Sequence, residues 1–387
     1  MAPISPAGPE LRPNAYPAQR LRWGRIITIL LGLVLVVWGG IGAWSFVRAS
    51  RAIGRLSSAN ADVRSQAATE LGALKSSRAV PPLIAALSDG DSAVRISAAT
   101  ALGEIGDPRA LQPLLTMLKT DRDNDGNVDE CHAAAKALGA LGKPALDPLL
   151  AALQDKDPEG YAAEGLERMG APAVNAVAAL LQNQNADVAT EAALILGEIK
   201  DRSAAPPLLA ALSTGNSSLR YSVVYALGEI KDASAVAPVA AVLKGDPEAE
   251  NRRGAADALG MIGDAGAIEP LIAATVDTDS TVRRMAAGAL GRINNPRAAN
   301  FLIDAFRRRN WDVIVGACEF FISRGEAGTE DTLIEALKQS GDEGMAEAML
   351  NSGNDKLHDA AADWAGNNNY EIQFQPGAGS ATWGKNP

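Results

Sequence analysis

The sequence predicts an all-α protein, a right-handed α-solenoid of stacked helical hairpins preceded by one transmembrane helix. Three observations carry this reading. A Leu-Gly pair recurs at Leu71-Gly72, Leu102-Gly103, Leu138-Gly139, Leu196-Gly197, Leu227-Gly228, Leu259-Gly260 and Leu290-Gly291, and Leu166 fills the one gap. Successive leucines lie 31, 36, 28, 30, 31, 32 and 31 residues apart, a period that belongs to helical hairpins burying their apolar faces against their neighbours. Residues 26–47 carry no charge, a run long enough to cross the hydrocarbon layer of a bilayer. Only 4% of the chain is aromatic against 47% apolar, which suits a thin core of Leu, Ile, Val and Ala.

Taken in order, residues 1–25 form a disordered tail with five prolines in its first 19 residues (Pro3, Pro6, Pro9, Pro13, Pro17), followed by Arg20, Arg22 and Arg25. Residues 26–47 follow as the transmembrane helix, with Trp23 and Trp44 near its ends, where indoles favour the membrane interface. The rival is a cleaved signal peptide ending near Val47-Arg48-Ala49, but the apolar run exceeds the ~7–15 residues usual for one. Arg12, Arg20, Arg22 and Arg25 flank one side of the span; Arg48, Arg51 and Arg55 flank the other. The slight excess places the N-terminus inside and the solenoid on the extracytoplasmic side. Residues 50–365 are the solenoid, about nine repeats closed by a cap over 340–365. Residues 366–387 read as an irregular tail.

Each repeat explains its own folding. Asn60, Asp91, Asn127, Asn185, Asn216 and Asp279 all stand eleven residues before the repeat leucine, where their side chains can cap the first helical turn. Val94, Ala98, Ala101, Leu102 and Ile105 then fall at three- and four-residue steps and make one apolar stripe. Glycine near the end stops the first helix. Asp107-Pro108 and Asn295-Pro296 restart the chain. A second proline (Pro82, Pro113, Pro207, Pro238, Pro270) sits early in the second helix, where a missing N–H costs least.

The run Asp-x-x-Val-Arg, Ala-Ala, Ala-Leu-Gly-Glu-Ile, Asp-Pro-x-Ala and Pro-Leu-Leu at residues 91–115 resembles the HEAT-like repeats named after phycobilisome lyases. The resemblance covers roughly residues 59–339 and implies an armadillo-type binding scaffold. It also implies an enzymatic alternative, because lyases and deoxyhypusine hydroxylase use similar repeats. The hydroxylase holds iron with His-Glu pairs; here His132 precedes Ala133 and His358 precedes Asp359, so that motif is missing. Phycobilin lyases handle soluble antenna proteins, which fits poorly with a membrane anchor. The expectation is therefore a protein that is not an enzyme.

Net charge is −10, divided unevenly. Residues 1–58 carry seven Arg and one acid, whereas the remainder carries 29 basic and 45 acidic residues. An acidic solenoid is a poor match for nucleic acid. Cys131 and Cys318 lie in distant repeats, so no internal disulfide is expected.

The long third repeat contains Asp121-Arg122-Asp123-Asn124-Asp125-Gly126-Asn127-Val128-Asp129-Glu130. Its Asp-x-Asp-x-Asp-Gly order resembles the first half of calcium loops in EF-hand, dockerin and thrombospondin modules. That resemblance implies side-chain ligands at Asp121, Asp123 and Asp125, a carbonyl from Asn127, and Asp129 directly or through water. His132 occupies the twelfth position, and Glu130 is the substitute acid. The plainer alternative is an acidic turn that caps the next helix.

Arg64, Arg95, Arg220, Arg252 and Arg283 lie seven residues before the leucine. Pairing with acids of adjacent repeats, such as Glu70, Glu104 or Glu229, is the expected role. Tyr161, Tyr221, Tyr225 and Trp311 are scarce aromatics and candidate anchors for a protein partner, with core packing as the alternative. The expected function is a membrane-anchored scaffold for protein–protein interaction with a calcium-stabilised loop. A lyase- or hydroxylase-type enzyme and a calcium-dependent adhesion or envelope element are the alternatives.

Overall fold

The computed structural model describes residues 44–120, 128–155, 160–325, 328–374 and 381–385. The chain divides into two compact units, Met1–Ile105 and Gly106–Pro387. In the first, α1 covers residues 44–55, and α2 (Ala61–Ala73), α3 (Val80–Ala86) and α4 (Ser92–Ile105) follow.

The second unit pairs α5 (Leu111–Thr120) with α6 (Val128–Leu141), then α7 (Lys143–Gln154) with α8 (Tyr161–Met169). The hairpin helices α9 (Val174–Ala179), α10 (Ala186–Ile199), α11 (Ala205–Ala211), α12 (Ser217–Ile230), α13 (Val236–Gly245), α14 (Ala249–Ile262), α15 (Ile268–Ala274), α16 (Ser280–Arg292) and α17 (Pro296–Arg307) continue it. It closes with α18 (Trp311–Gly316), α19 (Cys318–Arg324), α20 (Thr329–Ser340), α21 (Glu343–Leu350), α22 (Asp355–Asn367), β1 (Tyr370–Phe374) and β2 (Ala381–Lys385). Within it the long first helices α6, α8, α10, α12, α14 and α16 stack side by side in sequence order.

The capping column does what its chemistry predicts. Asn60, Asp91, Asn185, Asn216 and Asp279 accept hydrogen bonds from backbone N–H groups two or three residues on. The repeat leucines Leu71, Leu102, Leu138, Leu166, Leu196, Leu227 and Leu259 are fully buried. The second proline stands at the third position of α3, α5, α11, α13 and α15. Before most second helices a one-turn 3-10 segment intervenes, as at Pro108–Ala110, capped by Asp107.

Two expectations need refinement or correction. Glycine does stop the first helix in several repeats, but Gly103 and its counterparts are not that glycine; they lie inside the helix. A Cβ on Gly197 would stand 2.9 Å from Ala226 Cα, one on Gly228 3.0 Å from Ala258 Cα, and one on Gly260 2.9 Å from Ala289 Cα. These glycines let neighbouring first helices touch backbone to backbone. The stop falls four residues after the leucine, at Gly106, Gly142, Gly170 and Gly263, and at Lys75, Lys200 and Lys231, all with positive φ. The second correction concerns residues 366–387. They are not irregular throughout, because Tyr370–Phe374 pairs antiparallel with Ala381–Lys385.

The repeat over 308–339, which lacks the Leu-Gly pair, breaks its first helix. Ala317 leaves helical geometry (φ −107°, ψ 21°) and separates α18 from α19. Beside it Gly316 presses on Arg284, where an added Cβ would lie 2.7 Å from the arginine Cα. Phe321 fills the resulting space, 4.6 Å from Phe306 and 5.3 Å from Phe320 between ring centroids.

The arginine column is structural. Arg252 donates Nε and Nη2 to the two Asp277 carboxylate oxygens, each at 2.9 Å, and Nη1 to the Asp246 carbonyl at 2.9 Å. Arg64 holds Asp89 and Arg220 holds Asp246 in the same way, whereas Arg283 reaches Asp312 through Nε alone and Arg284 Nε donates to the other Asp312 oxygen. The partners are the aspartates of the next inter-repeat turn, not Glu104 or Glu229. Glu70 instead receives Arg48 and Arg55.

Most of the expected membrane span, residues 26–43, and the core of the expected calcium loop, 121–127, lie outside the described residues. Among the described residues no helix is long and apolar enough to cross a membrane.

Candidate partner-binding face

The first helices of the second unit leave one ridge each uncovered. On α12 the apolar stripe is buried through Leu219, Val223, Val224, Ala226, Leu227 and Ile230. Ser218, Tyr221, Tyr225 and Glu229 therefore point the other way at three- and four-residue steps, partly or fully exposed. On α10 the corresponding ridge carries Asp187, Glu191, Leu194 and Glu198, and on α8 it carries Glu164, Glu167 and Arg168.

These ridges meet. The Tyr225 hydroxyl donates to Glu198 Oε1 at 3.3 Å, and Lys200 pairs with Glu229. Tyr221 lies over Gly254 of α14, where the missing side chain leaves room for the ring; an added Cβ would come within 3.1 Å of it. Glu164 pairs with His132 Nδ1 at 2.6 Å and with Lys136 Nζ at 3.2 Å. Burial pushes the half-buried Glu167 carboxyl above its usual range, and the nearby carboxylates Glu198, Glu191 and Glu164 push it further. Burial likewise raises the Tyr225 phenol, with Glu198 and Glu229 adding to the effect. The face is thus aromatic at its centre and crowded with like charge at its side. Such crowding favours any arriving cation.

Of the four candidate aromatics, Tyr221 and Tyr225 belong to this face. Tyr161 does not: it is 5% exposed and packs edge-on against His132 with ring centroids 5.2 Å apart. The short repeat places it at the first position of α8, facing the core. Trp311 opens α18, half-buried, with the Arg309 guanidinium 6.0 Å from its ring centre, and stands apart from the tyrosines in sequence and in contacts. Sequence reasoning missed the carboxylates. The column two residues after the leucine, which holds Glu104, Glu198 and Glu229, was the available signal.

For the calcium residues, Asp121, Asp123, Asp125 and Asn127 lie outside the described residues. Asp129 is exposed and Glu130 is buried at the start of α6. Among the described residues no group of three His, Cys, Asp or Glu side chains could hold a metal ion.

A trough of about 800 Å³ opens where α18 breaks, lined by Met285, Gly288, Gly316, Glu319, Phe320 and Met345 among others. Its arginines are already engaged. Arg253 pairs with Glu250, Arg292 with Asp257, and Arg284 with Asp312, Asp342 and the Ser340 carbonyl.

Models of HEAT repeats match residues 51–128, 173–248 and 236–322, together more than half of the chain. A model of the PBS lyase HEAT-like repeat matches residues 131–155. Similar solved structures include human deoxyhypusine hydroxylase, at 23% identity over 65% of this chain and 98% of that one, with a TM-score of 0.29. The CpcE–CpcF phycocyanin lyase complex of Nostoc sp. is 24% identical over 66% of this chain and 94% of that one, with a TM-score of 0.27. Kap121p bound to Pho4p is 16% identical over 81% of this chain and 43% of that one, with a TM-score of 0.45. Likeness at this level speaks to the repeat architecture alone. No curated protein matches the chain. By the span of the repeat models and by the hairpins themselves, this chain belongs to the HEAT-repeat family.

Proposed function

We propose that this chain is a non-enzymatic, membrane-anchored HEAT-repeat scaffold that binds a protein partner on the exposed ridges of α8, α10 and α12. The observation that carries the reading is the juxtaposition of Tyr221 and Tyr225 with Glu167, Glu191, Glu198 and Glu229 on stacked helices. Tyrosines combine a large contact area with a polar tip, the usual makeup of an interface anchor. Glu167, Glu191 and Glu198 select for a partner segment that brings lysine or arginine, because a cation there relieves the repulsion around Glu167, whereas Glu229 is already paired with Lys200. The anchor rests on the uncharged run at 26–47, and the solenoid then faces the extracytoplasmic side.

The test is crosslinking in the native membrane, comparing wild type with Tyr221→Ala plus Tyr225→Ala. Capture of a partner should fall about tenfold or more, the scale of losing two anchors, with helix content and melting unchanged. Equal capture by both proteins refutes this face. Stoichiometric iron or a bound tetrapyrrole in the purified chain overturns the non-enzymatic reading.

The loop at 121–130 is proposed as a calcium site of modest affinity. Alternating Asp121, Asp123 and Asp125 before Gly126 support it, together with their place in an insertion that the repeat does not otherwise need.

A further inference from the structure

Five large apolar side chains stand exposed among the described residues, and three of them fall within four consecutive positions: Trp44 at 60%, Phe46 at 48% and Val47 at 45%. All three lie on α1, whose other side is anchored by buried Ala49 and Ala52. Exposed apolar groups gathered in one place, rather than scattered singly, mark a surface that something covers. Each aromatic ring also carries a guanidinium. Arg48 sits 4.6 Å from the Trp44 ring centre, and Arg78 sits 4.4 Å from that of Phe46.

Arg78 belongs to the one-turn segment Ser77–Ala79, not to α1. The aromatic end of α1 and this basic turn are therefore one surface. Glu70 takes up Arg48 and Arg55. Arg51, Lys75 and Arg78 are exposed and make no ion pair among the described residues. The surface thus combines indole, phenyl and cationic groups, and among the described residues no acid pairs with Arg51, Lys75 or Arg78.

We propose that this end of the first unit docks on a bilayer surface and reads anionic lipid headgroups. The inference rests on the membrane-anchored reading above, in which Trp44, Phe46 and Val47 end the span, and adds to it a headgroup contact made by the basic turn. Aromatic rings partition to the interfacial layer, where one edge is apolar and the other wet. The Arg78 guanidinium, seated over the Phe46 ring, keeps its N–H donors in the ring's surroundings, where a phosphate oxygen can accept them. Trp44, Phe46 and Val47 close the uncharged run at 26–47, so chain continuity delivers this surface to the same bilayer. A protein would cover the aromatics equally well, but Arg78 at the Phe46 ring, with Arg51 on the same helix and Lys75 close by in the chain, favours a sheet of phosphates.

The full chain is reconstituted in vesicles of phosphatidylcholine alone, or of phosphatidylcholine with phosphatidylglycerol. An environment-sensitive fluorophore is placed on Ser77→Cys; native Cys131 and Cys318 are buried and stay unlabelled. The expected result is a blue shift in the anionic vesicles only. Arg51→Glu plus Arg78→Glu should abolish it, since each basic residue at an anionic surface contributes about fivefold in affinity. No shift in anionic vesicles overturns the proposal, as does an equal shift in both lipids or one that survives the charge reversals. Alkaline carbonate extraction of the same samples reports separately on the span. Release of the protein refutes the anchor and leaves the docking result to be read on its own.

Discussion

Replacing Arg252 with methionine tests the inter-repeat clamp directly. The two side chains of the Arg252–Asp277 pair are each only 13% exposed. The substitution removes both bonds to Asp277 and the bond to the Asp246 carbonyl. Methionine keeps most of the apolar stem, so the loss is chiefly polar. Asp277 retains the Asp279 N–H at 2.8 Å and the Thr278 hydroxyl at 3.4 Å but loses its cation beside the core. Breaking a buried pair costs about 3–5 kcal/mol; residual exposure puts this one at the lower end, about 3 kcal/mol. A repeat array does not melt as one unit, so the assay is native-state hydrogen exchange of the α14 and α16 amides. These should exchange about a hundredfold faster. A double-mutant cycle with Asp277→Asn should give a coupling of about 2 kcal/mol. The exposed Arg297–Glu269 pair, at 65% and 62%, is the control and should show far weaker coupling. The pH dependence has a definite sign. The bond from Arg252 holds the Asp277 carboxyl below its usual 3.8, so the stabilisation is complete above that value and disappears as the pH falls through the lower folded value. The methionine variant should lose that acid-limb slope. A coupling near zero, or an unchanged acid limb, would show that the column is surface decoration.

Three further outcomes follow from the same geometry. Glu167→Gln should raise the melting temperature by about 1–2 °C at neutral pH. The gain should vanish below the ordinary 4.5, because a carboxyl whose folded pKa is raised destabilises only when ionised. Gly316→Ala should destabilise by about 1–3 kcal/mol through overpacking, since the new methyl has only rigid Arg284 backbone to displace; unaltered exchange of the α16 and α18 amides would refute this. Calorimetry should show one Ca²⁺ binding with an affinity near ~10⁻⁴–10⁻³ M, lost in Asp123→Ala plus Asp125→Ala. No heat at several times that concentration would reduce the loop to an acidic turn.

The hairpin architecture was legible because its determinants are local and repeated. Asn60, Asp91, Asn185, Asn216 and Asp279 announce helix starts by chemistry that needs no tertiary partner. The helix stops were harder, because Lys75, Lys200 and Lys231 adopt a left-handed backbone that sequence reasoning reserves for glycine. The glycine of the Leu-Gly pair was legible as a repeat but not in its purpose. Its cause is the Cα of an alanine one repeat away, which no local window contains. The same holds for the candidate site. Tyr221 and Tyr225 were identifiable as rare aromatics, but only the stacking of α8, α10 and α12 separates them from buried Tyr161. The crowding around Glu167 exists solely in three dimensions.

The arginine column also has gaps. At the equivalent positions of α6 and α10 stand Cys131 and Ala189, both buried and neither able to grip a following turn. Pulled from its ends, the second unit should not yield evenly. The junctions held by Arg220, Arg252 and Arg283 resist, while those that follow α6 and α10 part at lower force. Between them stands Glu167, crowded by Glu191 and Glu198, whereas Glu164 ties α8 to His132 and Lys136 of α6. A basic segment lying across Glu167, Glu191 and Glu198 would act as a suture, so occupancy of the face and mechanical strength of the scaffold would rise together.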